Sequence, residues 1–104
     1  ALLNFAIGIV KSVDAVSLKG EIVADVTPPA VFQDNQLIKS PSREFILKLT
    51  KDSVLEDVRF SPSRSLVAEN IKTGDKMQLT LFGDIHNPET KVLTVKELKI
   101  YRGR

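Results

Sequence analysis

Short apolar–polar alternations, separated by turn-forming residues, run along most of the chain. The clearest one places Phe45, Leu47 and Leu49 on one face of an extended segment, with polar side chains mainly on the other face. Alternation with a period of two residues is typical of a β-strand that is buried on one side. The pattern predicts six strands, at residues 5–13, 16–26, 43–51, 54–60, 76–82 and 91–101.

Glycine and proline interrupt these segments at positions where we expect irregular backbone. Gly8 lies inside the first predicted strand and indicates a bulge or a close approach of another part of the chain. Gly20 indicates a bend in the second strand, and the alternation in the last strand shifts near Glu97, which predicts a bulge there. The two prolines at 28–29 end the second strand because proline removes a backbone hydrogen-bond donor.

Two stretches do not alternate. Residues 30–42 form one predicted long loop, and long ordered loops in compact domains are often functional. Further along, Ser61 has the character of a helix cap, with Pro62 at the first helical position. The residues that follow Pro62 therefore predict a short helix or turn before the glycine at position 74.

The composition is that of one small folded domain. The chain has 104 residues, of which 42% are hydrophobic and 6% are aromatic. This length supports one hydrophobic core and predicts a single domain over residues 1–104. The apolar run near the N-terminus is too short to span a bilayer, so we expect no membrane insertion. The sequence begins with Ala1 rather than methionine, which indicates a processed or trimmed terminus and leaves the compartment open.

The charge pattern adds little to this picture. The 15 Lys and Arg residues against 13 Asp and Glu residues give a net charge of +2. The basic residues are spread along the chain without a polybasic run. A local excess of basic residues near the C-terminus is either an electrostatic footprint for phosphate or a strand edge kept soluble by lysine.

Few residues have the chemistry for catalysis or metal binding. The chain has no cysteine, which excludes disulfides and thiolate metal sites, and His86 is its only histidine. Asp84 and His86 would supply half of a nucleophilic relay, but no serine with an oxyanion hole is evident near them. A small hydrolase that depends on His86 is the weakest function considered. The sequence predicts no catalytic residue, no metal site and no cofactor.

The second half of the chain resembles a known fold. Residues 73–83 read Thr-Gly-Asp-Lys-Met-Gln-Leu-Thr-Leu-Phe-Gly, and the final strand follows after a loop. This arrangement resembles the last hairpin of OB-fold barrels. Residues 68–75 resemble the helix-to-strand passage of single-strand-binding and primosomal-type OB proteins. Residues 8–13 and 20–23 look like the bent first strand and its partner, so the resemblance covers about half of the chain.

The resemblance implies an all-β fold, namely a small OB-like barrel of five or six strands with one short helix between the later strands. A β-sandwich is the alternative architecture. The implied function is non-enzymatic binding of single-stranded DNA or RNA, with bases stacked on aromatic side chains and phosphates bound by basic ones. Phe32 is an additional stacking candidate, whereas Phe45 is expected in the core. The candidate nucleic-acid-binding residues are Arg43, Lys48, Lys76, Phe82, Lys91, Lys96 and Tyr101.

A function from another class stays open. The early strands are poor in basic residues, which also suits a protein-interaction β-domain of a multi-subunit or cell-envelope assembly. Such a domain would recognise its partner through an exposed strand edge. A homo-oligomer formed through exposed edges is compatible with either function. Binding of an oligonucleotide that weakens steeply with salt would separate the two functions.

Overall fold

The computed structural model describes residues 3–14, 20–66 and 70–102. No helix among these residues has the length and apolar character needed to cross a bilayer. Strands dominate the described residues, as the alternation predicts. In chain order they are β1 Leu3–Asp14, β2 Glu21–Thr27, β3 Val31–Gln33, β4 Gln36–Ile38, β5 Arg43–Lys48, β6 Val54–Asp57, β7 Arg64–Ser65, β8 Lys76–Phe82 and β9 Val92–Arg102.

Five of these strands close into a barrel. They are hydrogen-bonded in the order β5-β2-β1-β8-β9, and a further pairing of β5 with β9 joins the two ends. The β5–β9 pairing is parallel, whereas the other four junctions of the barrel are antiparallel. A five-stranded barrel of this kind is typical of the OB fold. The predicted small OB-like barrel is therefore confirmed, and the β-sandwich alternative is not formed.

The barrel encloses one apolar core. In β8 the side chains of Met77, Leu79 and Leu81 point inward and are buried, as their spacing predicts. Phe45 and Leu47 of β5 are also buried, which confirms the expected core position of Phe45. Because a strand sends alternate side chains to opposite faces, each of these strands presents its intervening residues to the outside of the barrel.

Small irregularities bend the long strands around the barrel. The register of β1 with β2 shifts between Val10 and Ser12, so the bulge lies beyond Gly8. At Gly8 the chain packs closely instead, since an added Cβ would lie 3.1 Å from Leu79 Cδ1. In β9 the register with β8 shifts between Val95 and Glu97, which confirms the bulge predicted near Glu97.

The region between β6 and β8 differs from its prediction. The strand predicted over residues 54–60 ends earlier, because β6 stops at Asp57 and a turn follows. The predicted helix start after Ser61 is wrong, because Arg64–Ser65 form β7 and pair with β6. The backbone N–H of Leu66 continues this ladder by donating to the carbonyl of Leu55. Cross-strand hydrogen bonds therefore engage the backbone groups that a helix would use. The later part of the predicted helix, residues 67–69, lies outside the described residues.

The stretch predicted as a long loop over residues 30–42 contains a second, two-stranded sheet. Strands β3 and β4 pair antiparallel across a turn at Asp34 and Asn35, whose φ angles are 51° and 61°. Asp and Asn tolerate this left-handed backbone better than other non-glycine residues, and it suits a two-residue hairpin turn. The hairpin Val31–Ile38 is called the arm below.

Candidate functional site

The outer face of β1 carries a continuous row of large apolar side chains. β1 is paired on both sides, with β2 and with β8, so this face is not an edge of the sheet. The row extends over about 20 Å at the rise of a β-strand, and Phe5 is its most exposed member at 66%. An apolar row of this length on an outer face is unusual for a surface in contact with water. This row, called the β1 stripe below, consists of Leu3, Phe5, Ile7 and Ile9.

Phe5 and Ile7 of the β1 stripe line an open groove with a volume of about 570 Å³. Residues 28–30, which lead into the arm, line it as well. Gln78 and Thr80 of β8 and the ion pair between Glu97 and Lys99 of β9 complete the lining. The groove is therefore apolar along β1 and the prolines, polar along β8 and β9, and carries no net charge.

The arm leaves the barrel next to this groove and exposes apolar side chains on both of its faces. All six of its strand residues are exposed. Val31 pairs with Ile38 on one face and Phe32 with Leu37 on the other, and Phe32 is 70% exposed. A two-stranded hairpin on its own is at best marginally stable in water. The arm is therefore a second exposed apolar surface, and none of the described residues covers it.

The outer face of β2 and β5 is the surface on which OB folds bind oligonucleotides, and here it carries carboxylates. Asp25 and Glu44 lie opposite each other across these two strands. Lys11 Nζ lies 2.8 Å from Glu44 and 4.0 Å from Asp25. The hydrogen bond to Glu44, followed by the charge of Asp25, raises the pKa of Lys11 above its usual value. Two carboxylates therefore engage this lysine, which makes it less available to a phosphate group.

The structure separates the predicted nucleic-acid-binding residues into small groups. Phe82 and Lys96 come together, with Lys96 Nζ 6.0 Å from the Phe82 ring centre. Lys76 and Tyr101 lie near the opposite end of the β8–β9 pair, about 20 Å along β8 from Phe82 at the strand rise. Tyr101 is half-buried. These residues therefore do not form one compact site along β8 and β9.

The predicted residues of β5 and the following loop have other surroundings. Arg43 donates to the carbonyls of Asn87 and Pro88, at 3.0 and 2.8 Å, and its guanidinium lies 4.3 Å from the Phe45 ring centre. It therefore holds the β8–β9 loop against the barrel. Lys48 is exposed and lies opposite Glu21 of β2, and Lys91 is exposed in a shallow depression beside Arg43.

The sequence prediction missed the β1 stripe and the arm, except for Phe32. The signal was present in residues 5–10, where apolar residues occupy both alternating sets of positions. Such a run is typical of a strand that is covered on both faces. In the described part of the chain, only the inner face of β1 is covered, and the apolar side chains on its outer face stay exposed.

The Asp84–His86 arrangement does not form a side-chain relay. The contact between them joins the backbone N–H of His86 to Asp84 Oδ1, at 3.3 Å, and closes a turn. The side chain of His86 is exposed next to a small depression that also includes Pro41 and Arg43. Across residues 3–14, 20–66 and 70–102, no group of three His, Cys, Asp or Glu side chains could hold a metal ion together.

These features define the class of protein: a closed OB-like barrel with one exposed apolar face. Two solved structures share the fold. A crystal structure of Ag(I)CusF is similar at a TM-score of 0.58 and 19% identity, over 96% of this chain and 99% of that chain. A tryptophan-to-alanine variant of CusF with Cu(II), from Escherichia coli, is similar at a TM-score of 0.57 and 17% identity, over 96% of this chain and 92% of that chain. No protein-family model and no curated protein matches the chain.

Proposed function

We propose that this protein is a non-enzymatic protein-interaction domain of a multi-subunit or cell-envelope assembly. The observation that supports this function is the β1 stripe, a row of four large exposed apolar side chains, of which Phe5 and Ile7 line the groove. Contiguous exposed apolar patches on soluble domains are typical of interaction sites. Aromatic side chains are enriched at such interfaces, and Phe5 is at the centre of this one.

The shape of the patch favours a protein partner over a small molecule. The β1 stripe is about 20 Å long and its groove is open along one side, whereas small-molecule sites are concave and enclose most of their ligand. The polar wall formed by Gln78, Thr80 and the Glu97–Lys99 pair resembles the polar rim that surrounds an interface core. An extended segment or a hairpin of a protein fits these dimensions.

The metal ions of the two similar structures are not carried over to this chain. A soft ion such as Ag(I) prefers thiolate and thioether donors, whereas Cu(II) prefers several imidazole or other nitrogen and oxygen donors. This chain has no cysteine, one methionine and one histidine. That methionine, Met77, is fully buried in the barrel core. His86 offers one exposed imidazole, and a single donor is too few for a specific metal site. The shared barrel therefore supports a common fold and no common metal chemistry.

A photo-crosslinking amino acid in place of Phe5 tests the proposal in cells. We expect a discrete protein adduct, because Phe5 is 66% exposed within the groove that the partner would cover. The matched control places the same group at Val92, which is 50% exposed but does not line the groove, and gives no discrete adduct. Absence of an adduct at position 5, or the same adducts at both positions, would contradict the proposed function.

A further inference from the structure

We propose that the partner in the groove is a second copy of this chain, and that each copy places its arm in the groove of the other. This inference rests on the proposed function and names the partner of the same site. Phe32 and Leu37, the more exposed apolar pair of the arm, would enter beside Phe5 and Ile7. One chain thus carries both halves of the interface.

The arm does not fill its own groove. Residues 28–30, at the root of the arm, line the groove, whereas no residue of the arm itself, Val31–Ile38, does so. The root is short and contains two prolines, which restrict its backbone and therefore limit how far the arm can fold back. A two-fold axis beside this root would place each arm over the groove of the other copy. Such reciprocal exchange is a common route to symmetric dimers.

The amount of exposed apolar surface matches the requirement of a stable dimer. The eight large side chains of the β1 stripe and the arm each expose 44% to 70% of their surface. At roughly 170 Å² per side chain, they expose about 700 Å² of apolar surface in each copy. Stable interfaces bury about 800 Å² per partner. Reciprocal exchange that covers most of this surface and the adjoining polar rim reaches that size.

The charges of the two surfaces are compatible with self-association. In the groove, Glu97 and Lys99 are 3.2 Å apart and neutralise each other. The arm has one acidic residue, Asp34, in its turn, and one basic residue, Lys39, follows β4. The groove has no net charge, and Lys39 balances the single charge of Asp34, so little like-charge repulsion opposes contact between two copies.

Sedimentation equilibrium of the purified chain tests the inference. We expect a mass of twice the 11.5 kDa chain. The arm variant Phe32→Ser and the groove variant Ile7→Lys should each weaken dimerisation by at least about a hundredfold, because a symmetric dimer loses each anchor twice. Val92→Lys, on an exposed apolar residue outside the groove, should leave the dimer intact. Circular dichroism confirms that the variants fold, and Phe5→Ser replaces Ile7→Lys if the latter does not.

Mixing the two variants separates arm-in-groove contact from other dimers. The Phe32→Ser chain keeps its groove and the Ile7→Lys chain keeps its arm, so one contact forms between them. We therefore expect the mixture to associate more tightly than either variant alone. A mixture that stays monomeric, or an arm variant that dimerises as the native chain does, would overturn the exchange.

A native chain that is monomeric would also overturn the exchange. The proposed function is tested separately, by the crosslinked adduct at position 5. In that case a discrete adduct at Phe5 whose mass is not that of two chains would show that another protein occupies the groove. Absence of any adduct would remove the proposed function as well. An adduct of two chain masses together with recovery in the mixture supports both.

Discussion

At the scale of single residues, the buried carboxylate of Asp57 is held by several contacts with Arg59. Its side chain is 5% exposed at the end of β6. It accepts hydrogen bonds from the Arg59 backbone N–H at 3.1 Å and from Arg59 Nε at 2.8 Å, and Arg59 Nη2 lies 2.6 Å from its second oxygen. The side-chain hydrogen bonds from Arg59 lower the pKa of Asp57 below its usual value, against the opposing effect of burial.

Because the pKa of Asp57 is lower in the folded chain than in the unfolded chain, its ionised form contributes stability above the unfolded value of about 3.9. This contribution is lost as the pH falls through the lowered pKa. We expect Asp57→Asn to reduce the free energy of unfolding by about 1–2 kcal/mol at pH 7. Urea denaturation at pH 7 and near pH 3 should show the difference between native chain and variant shrinking in acid.

The exposed Asp52, in the turn after β5, provides a matched control. Asp52→Asn should change stability by less than about 0.5 kcal/mol at either pH. A deficit of Asp57→Asn that stays constant from pH 7 to pH 3 would show that the Arg59 contact does not depend on the charge of the carboxylate.

At the scale of elements, the start of the β8–β9 connection depends on Gly83. Its φ of 137° is rarely adopted by residues with a side chain. Its carbonyl accepts a hydrogen bond from Asn4 Nδ2 at 2.6 Å, which ties the connection to β1. An added Cβ would lie 2.5 Å from Leu93 Cδ2, and Leu93 is buried in the core. Both the backbone and the packing therefore require glycine.

We expect Gly83→Ala to reduce the free energy of unfolding by about 2–3 kcal/mol, because backbone strain and overpacking act together. Gly20→Ala is the matched control, since Gly20 also has a positive φ of 57° but an added Cβ would lie 3.4 Å from Leu49. That variant should lose only about 1 kcal/mol. Equal losses measured by thermal denaturation would rule out the clash with Leu93 as the cause.

At the scale of the whole molecule, the distribution of charge and apolar surface favours contact with protein. The net charge of +2 is small, and the carboxylates of β2 and β5 occupy the face where an OB barrel binds nucleic acid. Apolar surface is concentrated instead on the β1 stripe and the arm. Binding energy is therefore available from burial of apolar surface rather than from phosphate contacts.

This distribution predicts little binding of single-stranded nucleic acid. A fluorescent thymidine oligonucleotide, titrated at low and moderate salt, should show no saturable and salt-sensitive binding to the native chain. A duplex of the same length is the control for non-specific attraction. Salt-sensitive binding that is lost in Lys76→Ala or Phe82→Ala would instead support the nucleic-acid-binding residues that the sequence predicts.

The sequence by itself determined those features that depend on neighbouring residues and on strand periodicity. Alternation in β5 and β8 correctly predicts which side chains enter the core, since a strand has only two faces. The shift of alternation near Glu97 marks a real bulge. Together with the OB resemblance, these local signals were enough to predict a small OB-like barrel.

Only the tertiary structure decided which pairings form and which surfaces stay bare. The arm and β7 are too short for periodicity to reveal, and each exists because another strand satisfies its backbone groups. In sequence, β1 is apolar on both sets of alternating positions, as is typical of a strand that is buried on both faces. Its outer face is exposed because none of residues 3–14, 20–66 and 70–102 forms a second layer over that side of the barrel. Whether such a layer forms depends on long-range packing rather than on residues 3–9.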